Sequence, residues 1–331
     1  MKLNAIFTSN MVFAANKPIR IFGEGNGTAT IGFAGREIKV NSENEGWMVE
    51  FPPMEYGGPY ELRFEHGGET DVLDDIYVGE VFLFAGQSNM QLKIKDTGVP
   101  TETLESNSLM RTYGTDKIEK NERFTPKEGW AKCKQEEAPD WSAIGYFTAL
   151  ELVKRKNIAI GVINCFQGAS VIESWVPERA FEKIGISIAP EDKYYDHTTP
   201  EFASWNGDGT LYGYAFSQVV PLSLSGVIWY QGESDTSIAE ALVYKQELAE
   251  LIRIWRNDLM NDQLPFVVVQ IHDFDNRDDE GWHTLQQAQL EVENEVDNVK
   301  TVISRDICET DVIHPTTKDI LSKRIADALM P

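Results

Sequence analysis

The chain has 331 residues, 42% of them hydrophobic, which suffices for one large α/β domain with a small companion and a sizeable core. With 53 acidic side chains against 30 basic ones the formal net charge is -23, a surface that repels phosphate backbones and anionic lipid and argues against nucleic-acid and membrane partners. No stretch reaches the ~18 apolar residues of a membrane helix. Cys133, Cys165 and Cys308 are odd in number and lack metal-ligand spacing, so neither a disulfide framework nor a metal site is expected.

Asn4, Thr8, Ser9 and Asn10 interrupt any signal-type apolar region near the N-terminus. With the cysteine usage this points to the cytoplasm, a secreted or periplasmic protein being the alternative if a leader has been removed. Residues 1–78 then read as antiparallel β structure. Ile19 and Ile21, Ile31 and Phe33, Ile38 and Val40, then Trp47, Val49 and Phe51 alternate at period two. Turn signals at Gly25-Asn26-Gly27, Gly57-Gly58 and Gly67-Gly68 separate the segments, and the expectation is a small β-sandwich.

From residue 79 to 331 the rhythm is strand, then helix. Val81–Ala85 reads as a buried parallel strand, with further strands at Leu109–Tyr113, Ile158–Asn164, Val227–Tyr230, Phe266–Ile271 and Thr301–Ser304. Ala143, Phe147 and Leu150 mark one helix, and Leu248, Leu251, Ile252 and Trp255 a second. A third spans about Leu285–Val296, and Leu321, Ile325 and Ala328 mark the last, with Pro315 near its start. Such alternation predicts a parallel sheet with helices on both faces, whose ligands sit at the carboxyl ends of the strands.

Four polar clusters occupy those ends. Gly86-Gln87-Ser88-Asn89-Met90 follows the first strand, where a glycine allows a sharp turn and a serine can project as a nucleophile; a plain helix-capping turn explains the same residues. Asp311 and His314, three positions apart before the last helix, suit a base and the carboxylate that orients it, or else a surface loop. Gly168, in Gln167-Gly168-Ala169, can offer a backbone N–H to an oxyanion, and Gln231, in Trp229-Tyr230-Gln231-Gly232-Glu233, can offer an amide N–H. Each cluster is weak alone. Together they supply a nucleophile, a base, its orienter and two oxyanion donors.

These blocks, in this order, resemble the sialate O-acetylesterase-like carbohydrate esterases, a branch of the SGNH hydrolases. The resemblance spans nearly the whole chain. It runs from Lys17-Pro18-Ile19-Arg20-Ile21-Phe22-Gly23 through the nucleophile block and Ile172-Glu173-Ser174-Trp175 to Gly226–Glu233, Trp255-Arg256, Leu264-Pro265-Phe266 and the terminal Asp311, His314, Pro315 and Lys318. It implies a flavodoxin-like three-layer α/β/α hydrolase domain, no metal or organic cofactor, and release of acetate from an O-acetylated carbohydrate, with O-acetylated sialic acid foremost. By position it implies Ser88 as nucleophile, His314 as base, Asp311 as orienter, and an oxyanion hole of Ser88 N–H, Gly168 N–H and the Gln231 amide. Gln87, Asn89 and Glu233 would support the site or the substrate. Gln167 replaces one glycine of a usual pair, Gly213 a usual asparagine and Gln286 a usual arginine, all of which bear on substrate preference.

Rival functions remain at this stage. The fold type also serves acetylated xylan, other glycans and non-sugar short-chain esters. The aromatic stretch Tyr194, Tyr195, Trp205, Tyr212 and Tyr214 would suit an inactive sugar-binding protein.

Overall fold

The computed structural model describes residues 1–43, 45–115, 118, 129–194, 200–277 and 279–330. Eight strands come first: Lys2–Leu3 (β1), Val12–Ala14 (β2), Ile19–Glu24 (β3), Gly27–Phe33 (β4), Arg36–Ser42 (β5), Gly46–Phe51 (β6), Gly57–His66 (β7) and Glu69–Gly86 (β8). β1, β3 and β6 pair antiparallel in one small sheet, while β5, β4, β7 and β8 pair antiparallel in another that β2 joins parallel to β8. The period-two pattern explains why two sheets form. β6 reads exposed, buried, exposed along Gly46–Phe51, and its buried rings meet the other sheet. Trp47 stacks on Phe64 with ring centroids 5.6 Å apart, and Phe51 meets Phe33 edge-on at 6.1 Å.

β8 is the hinge of the molecule. Its first half completes the N-terminal sheet and its second half is the central strand of a larger one, so the expected division at residue 78 falls inside one continuous strand. The larger sheet adds Asn107–Gly114 (β9), Ala131–Cys133 (β10), Ile160–Phe166 (β11), Gly226–Tyr230 (β12), Phe266–Val269 (β13) and Val299–Val302 (β14). Its order is β10-β9-β11-β8-β12-β13-β14, parallel except for the β10 edge. The last strand starts two residues earlier than its sequence suggests because Val299–Val302 pairs in register with Phe266–Val269. Ser304, past its end, instead donates its hydroxyl to Gln270 O at 2.6 Å.

The helices are Ser88–Gln91 (α1), Ala143–Lys156 (α2), Ala180–Lys183 (α3), Pro200–Ala203 (α4), Thr210–Tyr214 (α5), Ile238–Asp258 (α6), Glu280–Glu295 (α7) and Lys318–Ala328 (α8). Local chemistry sets their ends. Ser237 and Glu240 close a capping box on α6, Asp279 accepts the Trp282 N–H at the start of α7, and Ser142 accepts the Gly145 N–H at the start of α2. Along β8 the side chains alternate between two cores. Phe82 and Phe84 pack with Ile144 and Leu152 of α2 and Leu321 and Ile325 of α8. Val81, Leu83 and Ala85 join a second core with Leu248 and Trp255 of α6 and Leu285 and Val292 of α7. Burying each such Phe or Leu side chain stabilises the fold by about 1.5–3 kcal/mol, which is why the near-continuous apolar run is a central strand.

All three cysteines are free and buried. Among the described residues no helix is long and apolar enough to cross a membrane, and no cluster of three His, Cys, Asp or Glu residues could hold a metal ion.

Candidate active site

The register of the sheet assembles the site. Gly86, the last residue of β8, lies level with Phe166 on β11 and with Tyr230 on β12. Backbone bonds carry the ladder one step further on both sides, from Gln167 N–H to Gly86 O and from Gln87 N–H to Tyr230 O, each 3.0 Å. Three of the polar clusters therefore emerge side by side from neighbouring strand ends. Gly86 has φ +134°, and a Cβ there would lie 2.1 Å from Tyr230 O, so this crossing admits only glycine.

α1 starts at Ser88, which is half-buried, and no side chain caps its first turn. The next residue, Asn89, is fully buried and every polar atom of its side chain is engaged. Its Nδ2 donates to Glu233 Oε1 at 2.5 Å and to Ile313 O at 3.0 Å, and its Oδ1 accepts from Lys318 Nζ at 2.8 Å. The Ile313 bond brings the fourth cluster in, since it fixes the residue before His314 to the residue after Ser88. A second bond, between His272 Nε2 and Val312 O at 2.9 Å, fixes the residue before that. Burial holds the His272 pKa below the ordinary histidine value, so the neutral ring must carry its proton on Nε2 to donate to a carbonyl.

His314 is exposed, yet partial desolvation of its ring, then the charge of Lys318, hold its pKa below the usual histidine range. Asp311 is exposed. Among the described residues no hydrogen bond joins Ser88, His314 and Asp311 side chains. Such bonds are commonly long without substrate and tighten in the Michaelis complex.

Gly168 N–H donates to Gln91 Oε1 at 3.0 Å, so an amide oxygen from the end of α1 occupies this backbone donor. The turn's left-handed residue is Ala169, at φ +52°, and not the glycine. Gln231 departs from expectation. It is fully buried, its Nε2 donates to Ser170 O at 2.8 Å and to Asp235 Oδ2, and its Oε1 accepts from Tyr244 OH at 2.8 Å. Both amide hydrogens are thus spent on bracing the strand end, and none faces Ser88. Gln87 is likewise structural, its Oε1 accepting the Gly232 N–H at 3.3 Å. Glu233 is buried, and desolvation pushes its pKa up.

Gln231→Ala is accordingly expected to lose about 2–3 kcal/mol of stability, because Asp235 and Tyr244 would lose a buried partner. Denaturant midpoints and turnover measured on one preparation check this. A fully stable variant with turnover down ~100-fold would return Gln231 to the oxyanion hole.

The sequence did not single out His272, and it named Lys318 only as part of the terminal block of the resemblance, with no role. A histidine three residues past a parallel strand end is a signal the topology rule could have caught. The aromatic stretch divides: Trp205 is buried and Tyr212 is half-buried, donating to Asp258 Oδ2 at 2.8 Å, whereas Tyr214 is exposed, as is Tyr194 under the Arg277 guanidinium at 4.0 Å. Tyr195 lies outside the described residues. Gln286, where an arginine was expected, braces the loop after β13 by donating to Ile271 O at 3.1 Å and Asp273 Oδ1 at 2.9 Å.

Comparison with known proteins adds a family. The family described as "Carbohydrate esterase, sialic acid-specific acetylesterase" matches residues 78–330. The sialate O-acetylesterase of Pongo abelii is 25% identical over 92% of this chain and 65% of its own length. The human sialate O-acetylesterase is 25% identical over 86% of this chain and 60% of its own length, so the chain spans less than two thirds of these relatives. The crystal structure of a carbohydrate acetylesterase from Xanthomonas citri superposes with a TM-score of 0.86 at 25% identity, covering 99% of this chain and 74% of that one.

Proposed function

The chain belongs to the sialic acid-specific acetylesterase family of carbohydrate esterases, and from that membership we propose that it is a serine esterase that releases acetate from O-acetylated sugars, O-acetylated sialic acid foremost. The observation that carries this reading is the meeting of three level strand ends at Ser88, with the backbone before His314 pinned to Asn89. Ser88 Oγ attacks the acetyl carbonyl while His314, neutral and oriented by Asp311, takes the hydroxyl proton. Negative charge gathers on the carbonyl oxygen, and the Ser88 and Gly168 N–H groups receive it once Gln91 Oε1 yields its place. The sugar oxygen leaves with the proton from His314. Water then attacks the acetyl-Ser88 ester, again with His314 as base, and acetate is released as Ser88 Oγ leaves with the proton from His314.

In the same reading residues 79–331 form a flavodoxin-like three-layer α/β/α domain of the SGNH type, and residues 1–78 a β-sandwich that shares β8 with it. The alternation of β8 side chains between two cores supports the first assignment, and the rings between the small sheets support the second.

A panel of O-acetylated sialic acid, acetylated xylan, an aryl acetate and a long-chain aryl ester tests the proposal. The acetylated sialic acid should have the highest kcat/KM, and the long-chain ester should be turned over least. Faster release from xylan would reassign the sugar, faster turnover of the long-chain ester would remove the deacetylase reading, and sugar binding without any acetate release would mark an inactive site.

A further inference from the structure

Lys318 is a cation in an unfavourable place. It opens α8, where the helix dipole disfavours positive charge, and it is fully buried. No carboxylate forms an ion pair with it among the described residues. Its ammonium instead donates to Asn89 Oδ1 at 2.8 Å and lies 5.1 Å from the centroid of the Tyr230 ring. The Asn89 amide is thereby held between a cation on its oxygen and the Glu233 carboxylate on its nitrogen, 2.5 Å away. Its second N–H holds Ile313 O.

We propose that Lys318 is a positioning residue of the acyl-transfer site, acting through Asn89 on the turn that carries Ser88 and through its charge on His314. The proposal rests on the Ser88–His314 reading above. Glu233 and Glu309 favour the charge of Lys318, Cys308 beside it is a neutral thiol because burial pushes its pKa up to about 11, and Lys318 opposes the protonation of His272 and His314. Burial outweighs the two carboxylates and lowers the Lys318 pKa to about 8, so it is still charged where a histidine titrates. His314 thus stays neutral, and able to accept a proton, further into the acid range than an isolated imidazole.

Lys318→Met keeps most of the stem volume and removes the charge. The His314 ring is titrated by NMR in the full chain, assigned with His314→Ala, and kcat/KM on an aryl acetate is followed over the same pH range. The His314 midpoint should rise, the acid limb of kcat/KM should rise with it, and the plateau rate should fall about tenfold as Asn89 loosens. An unchanged midpoint and plateau in folded Lys318→Met would overturn the proposal. A midpoint that moves without the acid limb supports the action of Lys318 on His314 and instead rejects His314 as the base. Lys318→Gln, which keeps a donor for Asn89 but no charge, should shift the midpoint while sparing most of the plateau rate, and it serves in place of Lys318→Met if that variant does not fold; an unshifted midpoint there counts equally against the proposal.

Discussion

Ser88→Ala protein should fold and melt like the parent while hydrolysing an aryl acetate on the order of 10⁵- to 10⁶-fold more slowly, as expected for loss of a nucleophile whose partners act as a unit. The unchanged fold follows from the surroundings. Ser88 is half-buried, and its hydroxyl makes no hydrogen bond among the described residues, so removing it leaves no orphaned partner and no large cavity. The turn that presents it is held by other groups: Gly86 at the crossing with β12, Gln87 on the Gly232 N–H, and Asn89 on three partners. The loss of rate is a statement about chemistry alone. Residual activity should come from the N–H donors and substrate binding. A clean preparation of Ser88→Ala that still turns over the aryl acetate at a tenth of the parental rate would transfer the nucleophile to another residue.

The strand ends were legible in the sequence because apolar runs bounded by glycine are a local signal. Val81–Ala85 with Gly86, and Val227–Tyr230 with Gly232, lie at or near the strand ends their composition announced. What a local signal does not carry is the partner across the sheet. The alternating residues up to 78 and the apolar run from 81 read as two structures because the two halves of β8 have different neighbours, although the backbone is continuous. Gln231 was misread for a related reason. An amide at a strand end can donate toward either side of the sheet, and Asp235 and Ser170 lie on the side that claimed it. The pins on the His314 loop were invisible from sequence since Asn89 and His272 grip the carbonyls of Ile313 and Val312, which any residue would supply. The buried lysine was visible as a letter only. Its burial depends on α8 packing against α2 and β14, a long-range result.

His314→Ala should lower kcat on the order of 10⁴- to 10⁶-fold with the fold intact, and should cost far more than Asp311→Ala. The order follows from geometry. In the proposed mechanism a base must accept the Ser88 proton in the transition state, and that role is assigned to His314. Asp311 is exposed, so water screens its charge and can replace its orienting bond; its loss should cost about 10- to 100-fold. The pH profile carries the sign. Only the neutral ring can act as base, so kcat/KM falls as the ring protonates. Partial desolvation of the ring and the charge of Lys318 hold its pKa below the ordinary ~6.5, and half-maximal rate should therefore lie on the acid side of that value. A midpoint clearly above it would mean that a carboxylate partner stabilises the imidazolium in the free enzyme, against the geometry described. The comparison of Glu233→Gln with Asp311→Asn decides which carboxylate that would be. Glu233 is bound to the Asn89 amide and not to the ring, so Glu233→Gln should disturb the plateau rate and leave the acid limb near its place. An acid limb that shifts with Glu233→Gln and ignores Asp311→Asn would make Glu233 the charge partner of His314.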